Sequence, residues 1–81
     1  MSHETAKRND ARNILTRGQI HTVVISDEDV DEEGTGLAKI QKIKTFVKPG
    51  EDGLAYADTV TIKITDVGPN HAEALALAVV G

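Results

Sequence analysis

The sequence predicts an all-β protein, a small antiparallel barrel built from five short strands. Segments rich in β-branched residues recur along the chain, glycine-containing turns separate them, and no long segment has the periodicity of an amphipathic helix. The chain has 81 residues, of which 40% are apolar and 2% aromatic. That is enough material for one small domain with an aliphatic core.

The first three strands follow from local patterning. Residues 19–26 are rich in valine and isoleucine and end at an acidic run, which is typical of a strand that leads into a loop. Residues 37–40 and 43–48 alternate apolar and polar side chains on either side of Gln41-Lys42. We therefore expect these two segments to form a hairpin with its turn at Gln41-Lys42.

The last two strands are predicted after a loop marked by Pro49-Gly50. Residues 59–65 have a clean period of two and form the fourth strand. Residues 72–80 alternate small alanines with leucine and valine, which favours a fifth strand, although alanine also favours helix by intrinsic propensity. Five strands of this kind are typical of a small antiparallel barrel or an SH3-like sheet.

The composition excludes several functional classes. Because the chain has no cysteine, it can form no disulfide or thiolate metal site, which fits a reducing cytoplasm. The longest apolar run, at positions 74–80, has seven residues, far fewer than the ~20 of a membrane-spanning helix. We expect a cytoplasmic protein that does not contact membranes and, because a closed barrel has few free edges, a monomer.

Residues 43–48 carry the most informative pattern. If Ile43 and its alternate neighbours point inward, then Lys44, Phe46 and Lys48 point outward. An aromatic ring between ammonium groups suits single-stranded nucleic acid, since the ring stacks on a base and the lysines meet phosphates. The alternative register would bury Phe46 as the largest core side chain.

The net charge of −4 argues against a nucleic-acid partner, but six of the thirteen acidic residues lie at positions 27–33. This run begins like a calcium-binding loop, with carboxylates at alternate positions. However, Glu32 and Ala38 stand where such a loop needs glycine and glutamate. We interpret the run as a solvated loop that lies away from any RNA.

No pattern of catalytic or metal-binding residues stands out elsewhere. Gly34-Thr35-Gly36 lacks the lysine and hydroxyl of a phosphate-binding loop, and His3, His21 and His71 are too widely separated to indicate a zinc site. No nucleophile and base occur in a recognisable signature. We therefore predict neither enzymatic activity nor a cofactor, and His71 is instead a candidate surface contact.

Several motifs in order along the chain resemble those of the TRAM domain, from about Gly18 to Val80. They are Glu33-Gly34-Thr35-Gly36-Leu37-Ala38-Lys39-Ile40, Thr45-Phe46-Val47, Pro49-Gly50 and Val60-Thr61-Ile62-Lys63-Ile64. The resemblance implies a five-stranded antiparallel OB-like barrel that binds RNA. The family occurs within tRNA-modifying enzymes and as free-standing archaeal proteins, and the free-standing type implies a cofactor-free RNA chaperone of cold-shock-protein-like action.

Residues 1–17 are mostly polar and cannot bury enough surface to repay their ordering entropy, so we expect a flexible basic arm there, with Arg8, Arg12 and Arg17. The RNA-binding barrel is expected at 18–81. The family's surface aromatic falls on Phe46 and its basic residue after the glycine turn on Lys39. Lys42 replaces the usual turn glycine, Ala57-Asp58 replaces Gly-Asp, and the loop after Pro49-Gly50 is longer than typical. The residues predicted to contact RNA are Arg17, Lys39, Lys42, Lys44, Phe46, Lys48, Tyr56, Lys63 and His71.

Two alternative functions use the same barrel. A protein-interaction module would engage a partner through the acidic loop and an exposed strand edge. A ribosome- or translation-associated factor would share the RNA contacts.

Overall fold

The computed structural model describes residues 11–28 and 30–80 and contains five strands in one sheet. The strands are β1 (Ile20–Val24), β2 (Gly36–Ile40), β3 (Ile43–Lys48), β4 (Thr59–Val67) and β5 (His71–Val79). The all-β prediction is confirmed, and the alanine-rich segment is a strand. The only helix in this part of the chain is a three-residue 3-10 turn at Ala11–Asn13, so none there is long enough to cross a membrane.

The strand order is β1-β4-β5-β3-β2. Neighbouring strands are antiparallel, as predicted, except β3 and β5, which are parallel. The reason is topological. The loop at 49–58 leaves room for one strand between β3 and β4, and β5 occupies that position. Since β5 is antiparallel to β4, it runs in the same direction as β3.

Two irregularities between β4 and β5 curl the sheet into a half-barrel. The register shifts between Thr61 and Ile62 and again between Ile64 and Asp66. Such bulges bend a strand and increase its twist. The curl brings the two edge strands, β1 and β2, towards each other.

The half-barrel is closed at one end and open along its side. At the closed end, the Ser26 N–H donates to the Leu37 carbonyl, and the Leu37 N–H donates to the Asp27 carbonyl, both at 2.8 Å. Further along, a groove of about 820 Å³ separates the edges, with residues 21–24 on one side and Lys39 on the other.

The core is aliphatic and fills the concave side of the sheet. Alanines on β5 keep that strand thin, so the β3–β4 loop packs closely over it: a Cβ added to Gly50 would lie 2.8 Å from the Ala76 carbonyl oxygen. The buried apolar residues are Ala11, Leu15, Val23, Ile25, Ala38, Ile40, Ile43, Val47, Val60, Ile62, Ile64, Ala72, Ala74 and Ala76.

The segment before β1 packs on the barrel, which differs from the prediction of a flexible arm at 1–17. Leu15 is 2% exposed, and the Ala11 N–H donates to the Pro69 carbonyl at 3.1 Å. Ala11 and Leu15 therefore belong to the core, because one fully buried leucine contributes ~1.5–3 kcal/mol when a core already exists to receive it. The flexibility of the remainder of 1–17 stays a prediction. Residues 1–10, including Arg8, lie outside the described residues.

Candidate nucleic-acid interface

The outer face of β3 has the alternation that the hairpin prediction required. Ile43, Thr45 and Val47 are buried, whereas Lys44 and Lys48 are exposed. Phe46 lies on the outer side, half-buried, and is absent from the aliphatic core. The alternative register, with Phe46 inside, is therefore contradicted.

Strand pairing continues this pattern across the sheet as three rows of side chains. Residues on one row lie opposite each other on neighbouring strands, and successive rows are two residues apart, or about 6.6 Å along the strands. The first basic row is Lys39, Lys44 and His71; the aromatic row is Leu37, Phe46, Glu73 and Asp66; the second basic row is Lys48, Leu75, Lys63 and Ile20.

The rings of Phe46 and His71 meet on this face. Their centroids are 5.9 Å apart and their planes cross at 73°, an edge-to-face arrangement. Such pairs contribute ~0.5–1.5 kcal/mol beyond area burial, because the positive edge of one ring meets the negative face of the other. The contact packs the Phe46 ring against His71 on the surface and so brings His71 into the candidate site.

Lys42 lies at the tip of the β2–β3 hairpin, beyond the first basic row. Gln41 and Lys42 have positive φ values of 49° and 72°, so both adopt the left-handed conformation of a two-residue hairpin turn. The side chain of Lys42 is exposed. The predicted turn is confirmed, although neither of its residues is the glycine that such turns favour.

Arg17 lies at the other end of the aromatic row and forms an ion pair there. Its guanidinium donates to Asp66 Oδ1 at 3.1 Å, and the two side chains are 74% and 57% exposed. An ion pair this exposed contributes little stability. Its consequence is local, because it neutralises the carboxylate that ends the aromatic row.

The acidic loop reaches the candidate face at Asp31, contrary to the expectation that it lies away. Asp31 Oδ2 is 3.7 Å from Lys48 Nζ. The Asp31 carboxylate also accepts hydrogen bonds from the Thr35 hydroxyl at 2.6 Å and from the Glu33 and Thr35 N–H groups at 3.0 and 3.3 Å. These bonds, the hydroxyl first, lower the pKa of Asp31 to about 2.

Tyr56 lies off the three rows. It belongs to the β3–β4 loop, beside the end of β1, and its side chain is 66% exposed. Its N–H donates to the Glu28 carboxylate at 3.2 Å. Thus six predicted residues share the rows of the outer face, while Lys42, Arg17 and Tyr56 lie at its margins or beyond it.

Glu73 and Asp66 also belong to the face, although the sequence pattern did not predict them. Glu73 is half-buried and lies opposite Phe46. No local signal could have identified it, because its position depends on the parallel pairing of β3 with β5. Within residues 11–28 and 30–80, no group of three histidine or acidic side chains is placed to hold a metal ion.

Comparisons with known proteins agree with this architecture. The family model described as "TRAM domain" matches residues 15–77. The chain is 45% identical over 45 residues to Ribosomal RNA large subunit methyltransferase E of Haloarcula marismortui, covering 56% of this chain and 16% of that enzyme. It is 39% identical over 57 residues to the protein of the same name from Halobacterium salinarum, covering 70% and 20%. The chain therefore spans a fifth or less of these relatives.

A solved structure has the same fold. It is the solution structure of a conserved protein from Methanococcus maripaludis, which superimposes with a TM-score of 0.65 at 23% sequence identity. The match covers 79% of this chain and 83% of the other.

Proposed function

Because this chain belongs to the TRAM domain family, an RNA-binding family, we propose that its outer face binds single-stranded RNA with low sequence specificity. The observation that carries the proposal is the half-buried Phe46 ring, displayed outward between Lys44 and Lys48 and held by His71. TRAM is an RNA-binding domain, not a catalytic one. The methyltransferases that match this chain do so over 16 to 20% of their length.

The three rows suggest how a strand of RNA would lie. A base stacks on Phe46, and stacking of this kind contributes ~1–3 kcal/mol per base whatever the base identity. The basic rows lie about 6.6 Å away on either side, so the phosphates before and after the stacked nucleotide meet ammonium groups. The face is shallow, which suits weak binding and rapid release.

This mode of binding supports an RNA chaperone role of the cold-shock type. A protein that captures unpaired bases holds RNA out of misfolded hairpins and needs no cofactor. The relatives are named as methyltransferases of large-subunit ribosomal RNA, so ribosomal RNA is the first natural ligand to test. We propose that the protein acts as a monomer in the cytoplasm, which suits a chain without cysteine.

A second candidate function is supported by the apolar side chains on the outer side of β1 and β5. Ile20 is 55%, Leu75 42% and Leu77 52% exposed. Exposed aliphatic residues this close together also suit a protein partner. An interface of that kind would be nearly insensitive to salt, whereas RNA binding weakens as salt rises.

The test is an NMR titration of the labelled protein with a short unstructured RNA at two salt concentrations. We expect shifts that cluster on the three rows, weaken with salt, and disappear in a folded Phe46→Ala variant. Leu77→Ala is the matched control, since it removes an exposed apolar side chain away from Phe46 and should leave binding unchanged. Absence of shifts at low salt, or shifts that survive Phe46→Ala, would reject the proposal.

A further inference from the structure

Glu73 is an acidic residue in the middle of a face otherwise suited to phosphate. It lies on β5 directly opposite Phe46 on β3 and is half-buried. Neighbouring strands are about 4.8 Å apart, so its carboxylate lies within reach of the edge of a base stacked on Phe46. Glu73 takes part in no side-chain hydrogen bond or ion pair with the residues that the structure describes. Its two oxygens are therefore available to a ligand.

The charges around Glu73 separate it from the phosphate path. Asp66, opposite Glu73 on β4, is neutralised by Arg17. Lys44 and Lys48 lie one row to either side. Phosphates are therefore attracted to the two flanking basic rows. This leaves the base as the part of the nucleotide that faces Glu73.

The chemistry of a carboxylate selects among the four bases. Ionised Glu73 only accepts hydrogen bonds, and it can accept two in parallel. Guanine presents two adjacent donors, N1–H and the N2 amino group, on its Watson–Crick edge. Adenine and cytosine place one amino group beside an acceptor nitrogen, and uracil places its single N–H between two carbonyl oxygens. In each of these bases the second carboxylate oxygen would therefore face another acceptor, which repels it.

We propose that Glu73 gives the Phe46 site a preference for guanine, through a bidentate contact from its carboxylate to N1–H and N2–H of the stacked base. The inference rests on the proposed RNA-binding function and adds one selective position to an otherwise sequence-tolerant face. It assigns the stacking to Phe46 and the base selection to its neighbour on the parallel strand.

The test uses nine-nucleotide oligouridylates with guanosine, adenosine or inosine at the centre, titrated by fluorescence anisotropy at about 0.1 M salt. Adenosine controls for purine stacking, and inosine is guanosine without the 2-amino group. We expect guanosine to bind at least about fivefold more tightly than adenosine, the lower end of a good bidentate base contact, with inosine between them.

Glu73→Gln should bring the guanosine-to-adenosine ratio to one or below, because the amide offers one acceptor and one donor, which match the amino group and acceptor nitrogen of adenine and not the two donors of guanine. Glu51→Gln is the matched control. Glu51→Gln makes the same charge change, and Glu51 lies beside Leu77. Leu77 is four residues, or about 13 Å, along β5 from Glu73, and this distance exceeds the Debye length at this salt. The control should keep the full guanosine preference.

The outcomes distinguish this inference from the proposed function. If none of the oligonucleotides binds, or if Phe46→Ala binds them as well as the wild type, the RNA-binding function itself fails. If they bind through Phe46 but with equal affinity for guanosine and adenosine, the function stands and the role of Glu73 is overturned. If Glu73→Gln does not fold, the inosine comparison on the wild-type protein still decides between preference and indifference.

Discussion

At the scale of single residues, Phe46 contributes less to folding stability than a phenylalanine buried in the core would. Its ring is half-buried and touches His71 edge to face. We expect Phe46→Ala to lower the free energy of unfolding by about 1–2 kcal/mol, from partial burial and one aromatic pair. Ile62→Ala, at a fully buried position, should lower the free energy of unfolding by about 2–5 kcal/mol.

Urea denaturation of both variants, with unchanged m-values, checks this order. A loss for Phe46→Ala that equals or exceeds the loss for Ile62→Ala would show that the ring supports the fold and is not reserved for a ligand.

Asp31 gives a second prediction at this scale, concerning pH. Its pKa is lowered to about 2, chiefly by the Thr35 hydroxyl, so the ionised carboxylate is favoured in the folded loop. A lowered pKa stabilises the fold fully above the ordinary aspartate value of about 4, and that stabilisation disappears as pH falls towards 2. Thr35→Val removes the hydroxyl at similar volume and should raise the pKa of Asp31.

Titration of side-chain carboxyl carbons by NMR measures the shift directly. Ser26→Ala is a suitable control, because its hydroxyl donates to the Leu37 carbonyl and not to Asp31. An Asp31 pKa that stays near 2 in Thr35→Val would assign the shift to the backbone N–H groups and Lys48 instead of the hydroxyl.

At the scale of elements, the β2–β3 hairpin holds a non-glycine residue in a conformation that favours glycine. Lys42 has a φ of 72°. A left-handed backbone conformation costs a residue with a side chain roughly 1–2 kcal/mol, and glycine avoids this cost. Part of the gain is offset because glycine has more conformational freedom in the unfolded chain. We expect Lys42→Gly to stabilise the protein by about 0.5–1 kcal/mol and to raise Tm by about 2–8 °C.

Differential scanning calorimetry measures this, with Lys44→Gly as the comparison. The same exchange inside β3 should lower Tm, because glycine weakens a strand. If both variants lose stability, the turn carries no strain that glycine relieves.

The elements also mark how far the sequence could predict the site. The strand at 43–48 and its outward Lys44 and Phe46 followed from alternation, which is a local property of a half-buried strand. The contact of Phe46 with His71 did not follow, because it requires β5 to run parallel to β3. Leu15 was missed for a similar reason: a short polar segment gives no indication that a distant core will receive one of its side chains.

At the scale of the whole molecule, a net charge of −4 coexists with a basic face. Lys39, Lys44, Lys48 and Lys63 lie on the outer rows. If three or four of them meet phosphates, the slope of log K against log salt should be about −2 to −3, since each phosphate on a single strand contributes about −0.7. Affinities of an unstructured RNA between 50 and 300 mM salt measure this slope.

Lys44→Gln should flatten the slope by about 0.7, the share of one phosphate contact. Lys42→Gln, at the hairpin tip, is the corresponding control and should change the slope less. A slope near zero would favour the apolar protein partner over RNA.

The parallel pairing of β3 with β5 also has a consequence for folding. The aromatic row draws on residues 37 and 46 of the β2–β3 hairpin and on residues 66 and 73 of the β4–β5 hairpin, so it is complete only when the non-local β3–β5 pairing joins the two hairpins. A partly folded chain therefore presents no stacking site. By mass action, a ligand that recognises the completed row raises the population of fully folded protein, so RNA at a hundred times its Kd would add about 2.7 kcal/mol to the stability of this small domain.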